Sequence, residues 1–338
     1  MKKIALVGIG KMGMSHVAIA NMTEGMNVVA LCDTSSFLMK FFNKNTAFEC
    51  FTNYKKMLKK IEFDSVIVSV PNAFHFEIVQ FFLDNGKDVF IEKPFTMSYK
   101  HSKELIDLSH SKNLKLQVGY VNRFNPIFQK VKSLLDSGVI GDITNYINRM
   151  TGGVVLKESK GWRNDYSKGG GALFDYGIHC LDLATYFFGT DVEVESASLK
   201  KVFSTDVDDI VYATLIHGSS IVGFNYINWS DSSVRKAGNN IEIFGEKGKI
   251  IASKQEVSIY LSNESVEHGL HEGWNQIYIT DESTDVNYYL RGEDFSRQME
   301  EFSELIHGKT EGMNASLHSS GVIDYIVEEI FKKSGELK

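Results

Sequence analysis

The first third of the chain alternates short apolar runs with stretches of helical spacing. Lys3–Val7 reads as a strand and Met12–Met22 as a helix. Asn27–Leu31 is a valine-rich second strand, and Ser65–Val70, Asp88–Ile91 and Lys115–Gly119 are further strands. Between them, His75–Asn85 sets Phe76, Val79, Phe82 and Leu83 at helical spacing, and Ser98–Ser111 reads as another helix with Ser98 at its cap. Strands that alternate with helices predict a parallel, doubly wound sheet, because parallel neighbours need a crossover connection.

The pattern then changes. Asn125–Ser137 reads as a helix, Asp142–Met150 as a strand and residues 152–171 as a polar, glycine-rich loop. Gly171–Phe188 carries an apolar stripe of Leu173, Tyr176, Cys180, Leu183, Ala184 and Phe187, which predicts a helix. From Val192 to Ile279 strand follows strand, with Gly218-Ser219 and Glu246-Lys247-Gly248 as hairpin turns. Such a run predicts an antiparallel sheet. Helices near Asp294–His307 and Ser319–Lys333 close the tail. The expected organisation is a dinucleotide-type α/β domain over 1–122 and a second α+β domain over 123–338.

Composition narrows the function classes. The 338 residues are 43% hydrophobic and 23% charged, ordinary values for a globular chain of about two domains. The net charge of −7 gives no basic excess, so nucleic acid is not an expected partner. No apolar run reaches the ~18 to 20 residues that span a bilayer, so no membrane partner is expected either. The apolar run Ile4–Val7 is broken at once by Gly8 and Gly10, unlike a secretory leader. Cys32, Cys50 and Cys180 are odd in number, widely spaced and without a CxxC, so they read as free thiols of a cytoplasmic protein.

The first chemical signal is Gly8-Ile9-Gly10-Lys11-Met12-Gly13. It follows a strand and opens a helix, the setting in which G-x-G-x-x-G binds a dinucleotide. The glycines serve a tight turn, a close approach by pyrophosphate and helix–strand packing, and the helix N-terminus offers N–H groups to phosphate. Asp33 stands twenty residues after Gly13, where a carboxylate can take the adenosine ribose hydroxyls and repel a 2′-phosphate. NAD is therefore expected over NADP.

Four further clusters stand at strand ends, on loops or on a helix face. Pro71, Asn72 and His75 follow one strand, and Glu92-Lys93-Pro94 ends the next, so both face the cofactor side of a doubly wound sheet. A lysine there can bind a substrate hydroxyl and lower its pKa, and the bond before Pro94 is a candidate for cis. Trp162 and Arg163 could form a wall for a sugar ring. Asp175 and His179 are four apart and share a helix face, so an imidazole could accept a proton beside a carboxylate. Each has a plain alternative when taken alone. The lysine can be a solvated charge, His75 an ordinary helix residue, Trp162 a loop anchor and the Asp–His pair a surface contact. A metal site using Asp182 as well is rejected, because neither HExxH nor a cysteine cluster accompanies it.

Taken together, these motifs occur in the order and spacing of the glucose–fructose oxidoreductase, inositol dehydrogenase and rhizopine-catabolism (Gfo/Idh/MocA) family, which the whole chain resembles. Gly119-Tyr120, Arg123-Phe124 and Pro126 also look like that family's junction between domains. The resemblance implies a Rossmann domain followed by a domain on an open antiparallel sheet whose exposed face forms a homodimer or homotetramer. It implies catalysis by Lys93 and His179 with Asp175 in support. Contacts to NAD are expected from Gly8, Gly10, Lys11, Met12, Gly13, Asp33, Pro71, Asn72, His75, Glu92 and Lys93. Contacts to substrate are expected from Lys93, Arg123, Trp162, Arg163, Asp175 and His179. The activity implied is NAD-dependent oxidation or reduction of a sugar, nucleotide-sugar or cyclitol. A glycosidase that uses NAD transiently, and a dinucleotide-binding regulator without chemistry, are the alternatives.

Overall fold

The computed structural model describes residues 1–153, 162–282, 285–312 and 317–336. The chain forms two units: Met1–Val121 with Asp285–Gly321, and Asn122–Thr284 with Val322–Lys338. The chain passes from the first unit to the second at Val121–Asn122, and the return of Asp285–Gly321 to the first unit does not show in the hydrophobic pattern.

The first unit follows β1 (Lys2–Val7), α1 (Lys11–Met22), β2 (Met26–Cys32), α2 (Ser36–Asn45), β3 (Glu49–Phe51), α3 (Tyr54–Lys60), β4 (Ser65–Val68), α4 (His75–Asp84), β5 (Asp88–Ile91), α5 (Tyr99–Ser111) and β6 (Leu116–Val118). The strands are parallel in the order β3-β2-β1-β4-β5-β6. The order reverses between β1 and β4, and doubly wound sheets bind ligands at such a switch point, beyond the carboxyl ends of the strands. Apolar residues of β1, β2 and α1 form one face of the core, among them Ile4, Leu6, Val28 and Ile19. A late helix of the chain (Glu293–Ile306) supplies Met299, Phe302, Leu305 and Ile306 to the same cluster. That buried face, and the bond from Ser303 Oγ to the carbonyl of Glu24, explain the return of the chain.

The second unit contains α6 (Pro126–Asp136), β7 (Ile143–Thr151), α7 (Ile178–Phe188), β8 (Val192–Lys200), β9 (Ile210–His217), β10 (Ile221–Asn228), β11 (Gly238–Gly245), β12 (Gly248–Ala252), β13 (Glu256–Leu261), β14 (Gly273–Tyr278) and α8 (Ile279–Glu282). The helix of the return is α9 (Glu293–Ile306), and α10 (Leu317–Ser334) ends the chain. Asn125 caps α6 by accepting from Ile127 N and Phe128 N, with Pro126 opening the helix. The sheet runs β14-β13-β12-β11-β7-β10-β9-β8 and is antiparallel except at β7–β10. One face packs under α6 and α7 through Tyr146, Ile241, Ile243, Ile250, Val257 and Ile259. The alternation in β9, with Val211, Ala213 and Leu215 buried and Tyr212 exposed, marks the opposite face. That face carries Arg149, Glu242 and Lys249 in linked ion pairs, flanked by exposed Tyr212, Phe224, Tyr260 and Trp274.

Candidate active site

The glycine loop separates what the chain needs from what a ligand needs. Gly8 has φ +89°, and a Cβ there would stand 2.2 Å from the carbonyl oxygen of Ser69. A Cβ on Gly13 would stand 1.9 Å from the carbonyl oxygen of Gly8. Both glycines are therefore required by packing of β1, α1 and the end of β4. Gly10 is different, since a Cβ there meets nothing within 4 Å among the described residues. Gly10 also caps α1 with no side-chain bond, and the first turn, opened by Lys11 and Met12, holds no acid. Uncapped N–H groups beside an open glycine fit a phosphate. Asp33 closes the loop from β2, accepting from Ile9 N and Ser35 N at 2.8 Å each. An ionised carboxylate keeps further lone pairs for ribose hydroxyls.

The loops after β4 and β5 are joined by buried imidazoles. His75 is fully buried, with Nδ1 2.7 Å from the carbonyl of Pro94 and Nε2 3.0 Å from that of Val70. Burial pushes it towards the neutral form, against the pull of those carbonyls and of Glu92. His75 thus ties the two loops together from behind. Glu92 is likewise turned inward, with one carboxylate oxygen 2.6 Å from His16 Nε2 and the other accepting from Lys93 N. Burial favours its neutral form, yet His16 and Lys93 outweigh that and hold the carboxyl below its usual range. His75 and Glu92, expected at the cofactor, make their observed bonds to the protein. His16 is not among the expected residues, although Gly13-x-x-His16 puts it on the face of α1 that meets the sheet. Asn72 is buried in the short turn Asn72–Phe74, Lys93 is half-buried, and the Lys93–Pro94 bond is cis.

In the second unit, a π-helical turn over Leu173–Gly177 leads into α7, where a plain α-helix was expected. Asp208 holds that turn, accepting from Leu173 N at 2.7 Å and from the Tyr166 hydroxyl at 2.8 Å. Burial pushes the Asp208 carboxyl up. Gly171 lets it approach, since a Cβ there would stand 2.3 Å from Asp208 Oδ1. Asp175, on the π turn, accepts from Arg163 Nε at 3.0 Å, and the Arg163 guanidinium lies 4.8 Å from the centre of the Trp162 ring. The structure thus brings Trp162, Arg163 and Asp175 together. His179 is part-exposed in the first turn of α7. Of the loop expected over 152–171, residues 154–161 lie outside the described residues. Arg123, expected at the substrate, is 2% exposed and donates to Asp182 Oδ1 at 2.7 Å. Burial pushes Asp182 up to about 6 against that pull.

Comparison with known proteins follows this division. The sequence model of the Gfo/Idh/MocA oxidoreductase family, NAD-binding Rossmann fold, matches residues 2–120, and that of the family's C-terminal domain matches 128–251. The chain belongs to this family. An uncharacterized oxidoreductase of Bacillus subtilis is 27% identical over 73% of this chain and 72% of its own. Among solved structures, a levoglucosan dehydrogenase in complex with NADH shares the fold with a TM-score of 0.85 at 19% identity, covering 99% of this chain and 97% of the other. A 3-ketoreductase of Actinomadura kijaniata, in complex with NADP and TDP-benzene, shares it with a TM-score of 0.81 at 20% identity, covering 98% and 97%.

As a Gfo/Idh/MocA oxidoreductase, the chain has a nucleotide loop whose glycine pattern and bare helix end fit a dinucleotide. Among the described residues, no group of three or more His, Cys, Asp or Glu could hold a metal ion, and no helix is long and apolar enough to cross a membrane. Cys32 and Cys180 are buried, and burial pushes the Cys32 thiol up to about 12, which makes it a poor nucleophile.

Proposed function

We propose that this oxidoreductase transfers hydride between NAD and a secondary hydroxyl of a polyhydroxylated ring, a sugar, nucleotide-sugar or cyclitol. The observation that carries the reading is Lys93: its strand-end loop is tied down by buried groups behind it, beside a carboxylate held ionised. An ammonium so held donates to the reacting hydroxyl oxygen and stabilises the charge that develops there. His179 accepts the hydroxyl proton in oxidation and returns it in reduction. Asp175, paired with Arg163, favours the protonated imidazole. A bound nicotinamide supplies the hydride acceptor or donor at the same carbon. The Trp162 ring offers a flat apolar face to the C–H side of a sugar, and Arg163 offers donors to its hydroxyls. We assign Arg123 to holding α7 through Asp182 rather than to the substrate.

Asp33 supports NAD over NADP, because a 2′-phosphate would meet its carboxylate. The open face of the second sheet supports a homodimer or homotetramer. Large exposed aromatic side chains on both flanks of a charged centre suit a self-complementary interface.

The test is NADH formation against a panel of sugars and cyclitols. Lys93→Met and His179→Asn should each lower turnover at least ~100-fold while NAD(H) binding, followed by nucleotide fluorescence, persists. Near-normal turnover in both variants would refute the assignment. Hydrolysis without net NADH would move the chain to a glycosidase.

A further inference from the structure

His16 has no part in the chemistry above, and its surroundings give it one. It lies in the second turn of α1 with its side chain fully buried. Its ring meets Phe90 edge-on at 5.3 Å, and its Nε2 lies 2.6 Å from Glu92 Oε1. An ionised carboxylate only accepts, so Nε2 carries the ring proton in this bond. The opposite oxygen, Glu92 Oε2, accepts the backbone N–H of Lys93 at 3.2 Å. Glu92 is fixed on its other sides too. Its N–H donates to the carbonyl of Val68 at 3.0 Å, and a Cβ on Gly119 would stand 3.4 Å from its carboxyl carbon.

A buried carboxylate is costly unless its oxygens find donors. Packing alone would be served by an apolar residue. The titratable groups that face this carboxylate come from three elements: His16 of α1, Lys93 of its own loop and His75 of α4, which burial pushes towards the neutral form. Only His16 gives it a side-chain hydrogen bond among the described residues. Without that donor, Glu92 must take a proton, which weakens the bond from the Lys93 N–H, or turn away, which removes it.

We propose that His16 is a positioning residue for Lys93, acting through Glu92 to fix the Lys93 backbone. This rests on the role assigned to Lys93 above.

Two variants of the full chain separate donor from volume. H16F fills the site without a donor, and H16Q returns an N–H near the Nε2 position. H16F should lower kcat about tenfold or more with KM for NAD within about threefold, and H16Q should recover most of the loss. A second readout needs no substrate. The Lys93 backbone N–H donates to Glu92 Oε2 at 3.2 Å, so hydrogen exchange of that amide, read by NMR, should be severalfold faster in H16F than in wild type and slow again in H16Q. If no sugar or cyclitol is ever oxidised, the function proposed above fails while the exchange still decides this inference. Folded H16F with wild-type kcat or wild-type exchange overturns it, as does H16Q damaged as badly as H16F. Should H16F not fold, E92L takes the same measurements, and unchanged exchange of the Lys93 amide there overturns the proposal equally.

Discussion

The two units hold their candidate residues by different means. In the first, the anchors are mostly backbone: the carbonyls of Gly8 and Ser69 press on the glycines, and those of Val70 and Pro94 take His75. In the second, side chains from distant segments do the holding. Asp208 reaches back to the π turn, Arg163 to Asp175, Arg123 to Asp182, and Asn148 to the carbonyl of Cys180. A backbone-built site admits only certain residue types at fixed spacing and so leaves a short motif. A side-chain-built site can draw on any segment that packs nearby and leaves scattered single residues.

The contrast breaks most visibly at two glycines of the same loop, one packed against backbone and one open. Gly13→Ala puts a methyl 1.9 Å from a backbone oxygen that cannot swing aside. It should cost about 3 kcal/mol or more, read as a lowered unfolding midpoint in urea. Gly10→Ala meets nothing, and its φ of −72° and ψ of −166° are open to alanine. Its stability should stay within about 1 kcal/mol of wild type while NADH affinity falls about tenfold or more. Equal loss of stability in both variants would mean that Gly10 too serves the chain, and the case for a ligand at that position would lapse.

The same contrast explains what could be read from the letters alone. The alternation of strands and helices around the glycine loop and the long β run are local patterns, and the matched family and the observed sheets agree with them. The segment 36–60 gave no reading, because β3 is only three residues long and α2 buries only Met39. Asp208 lies 33 residues beyond Asp175, with α7 and β8 between them, and nothing local links them. Arg123 and His75 stand where ligand contacts are expected, while in the structure both are buried and bonded to the protein, and neither burial nor partner is encoded in spacing.

Acid tests the side-chain-built unit. His217, beneath the end of α7, accepts from the Tyr146 hydroxyl at Nε2 (3.0 Å) and donates from Nδ1 to the carbonyl of Gly189 (3.2 Å). Burial pushes it down to about 4, and among the described residues no carboxylate bonds to it, unlike His16. The unfolded chain therefore binds this proton first. The stability that neutral His217 contributes is whole above about pH 6.5, and about 3 kcal/mol of it is lost as pH falls towards 4. Asp182, pushed up to about 6, titrates in part of the same window with the opposite sign, so the raw slope is not the measure. The measure is wild type against His217→Gln, unfolded in urea between about pH 7.5 and 4.5. Trp162, Trp229 and Trp274 are the chain's three tryptophans and all lie in the second unit, so their fluorescence reports that unit. The stability difference between the two proteins should shrink or reverse in acid. A difference that stays flat would show that His217 carries no linked proton.

The smallest effect on stability should come from the ion pair nearest the proposed chemistry. The Arg163 side chain is 46% exposed and that of Asp175 is 9% exposed, so water competes for the bond and screens it. Removing an exposed charge from such a pair costs little, and Arg163→Met also keeps an apolar stem against Trp162. Its unfolding free energy should lie within about 1 kcal/mol of wild type. Its kinetics should move further: KM for the sugar or cyclitol should rise about threefold to tenfold as a donor to the ring and the counter-charge of Asp175 are lost together. Arg163→Lys should not restore it, because a compact ammonium lacks both the planar stack on Trp162 and the Nε geometry towards Asp175. The alternative outcome is equally informative. If Arg163→Met loses several kcal/mol with KM unchanged, the guanidinium belongs with Arg123 and Asp208 among the supports of α7, and the wall of the substrate site must be sought elsewhere on the second unit.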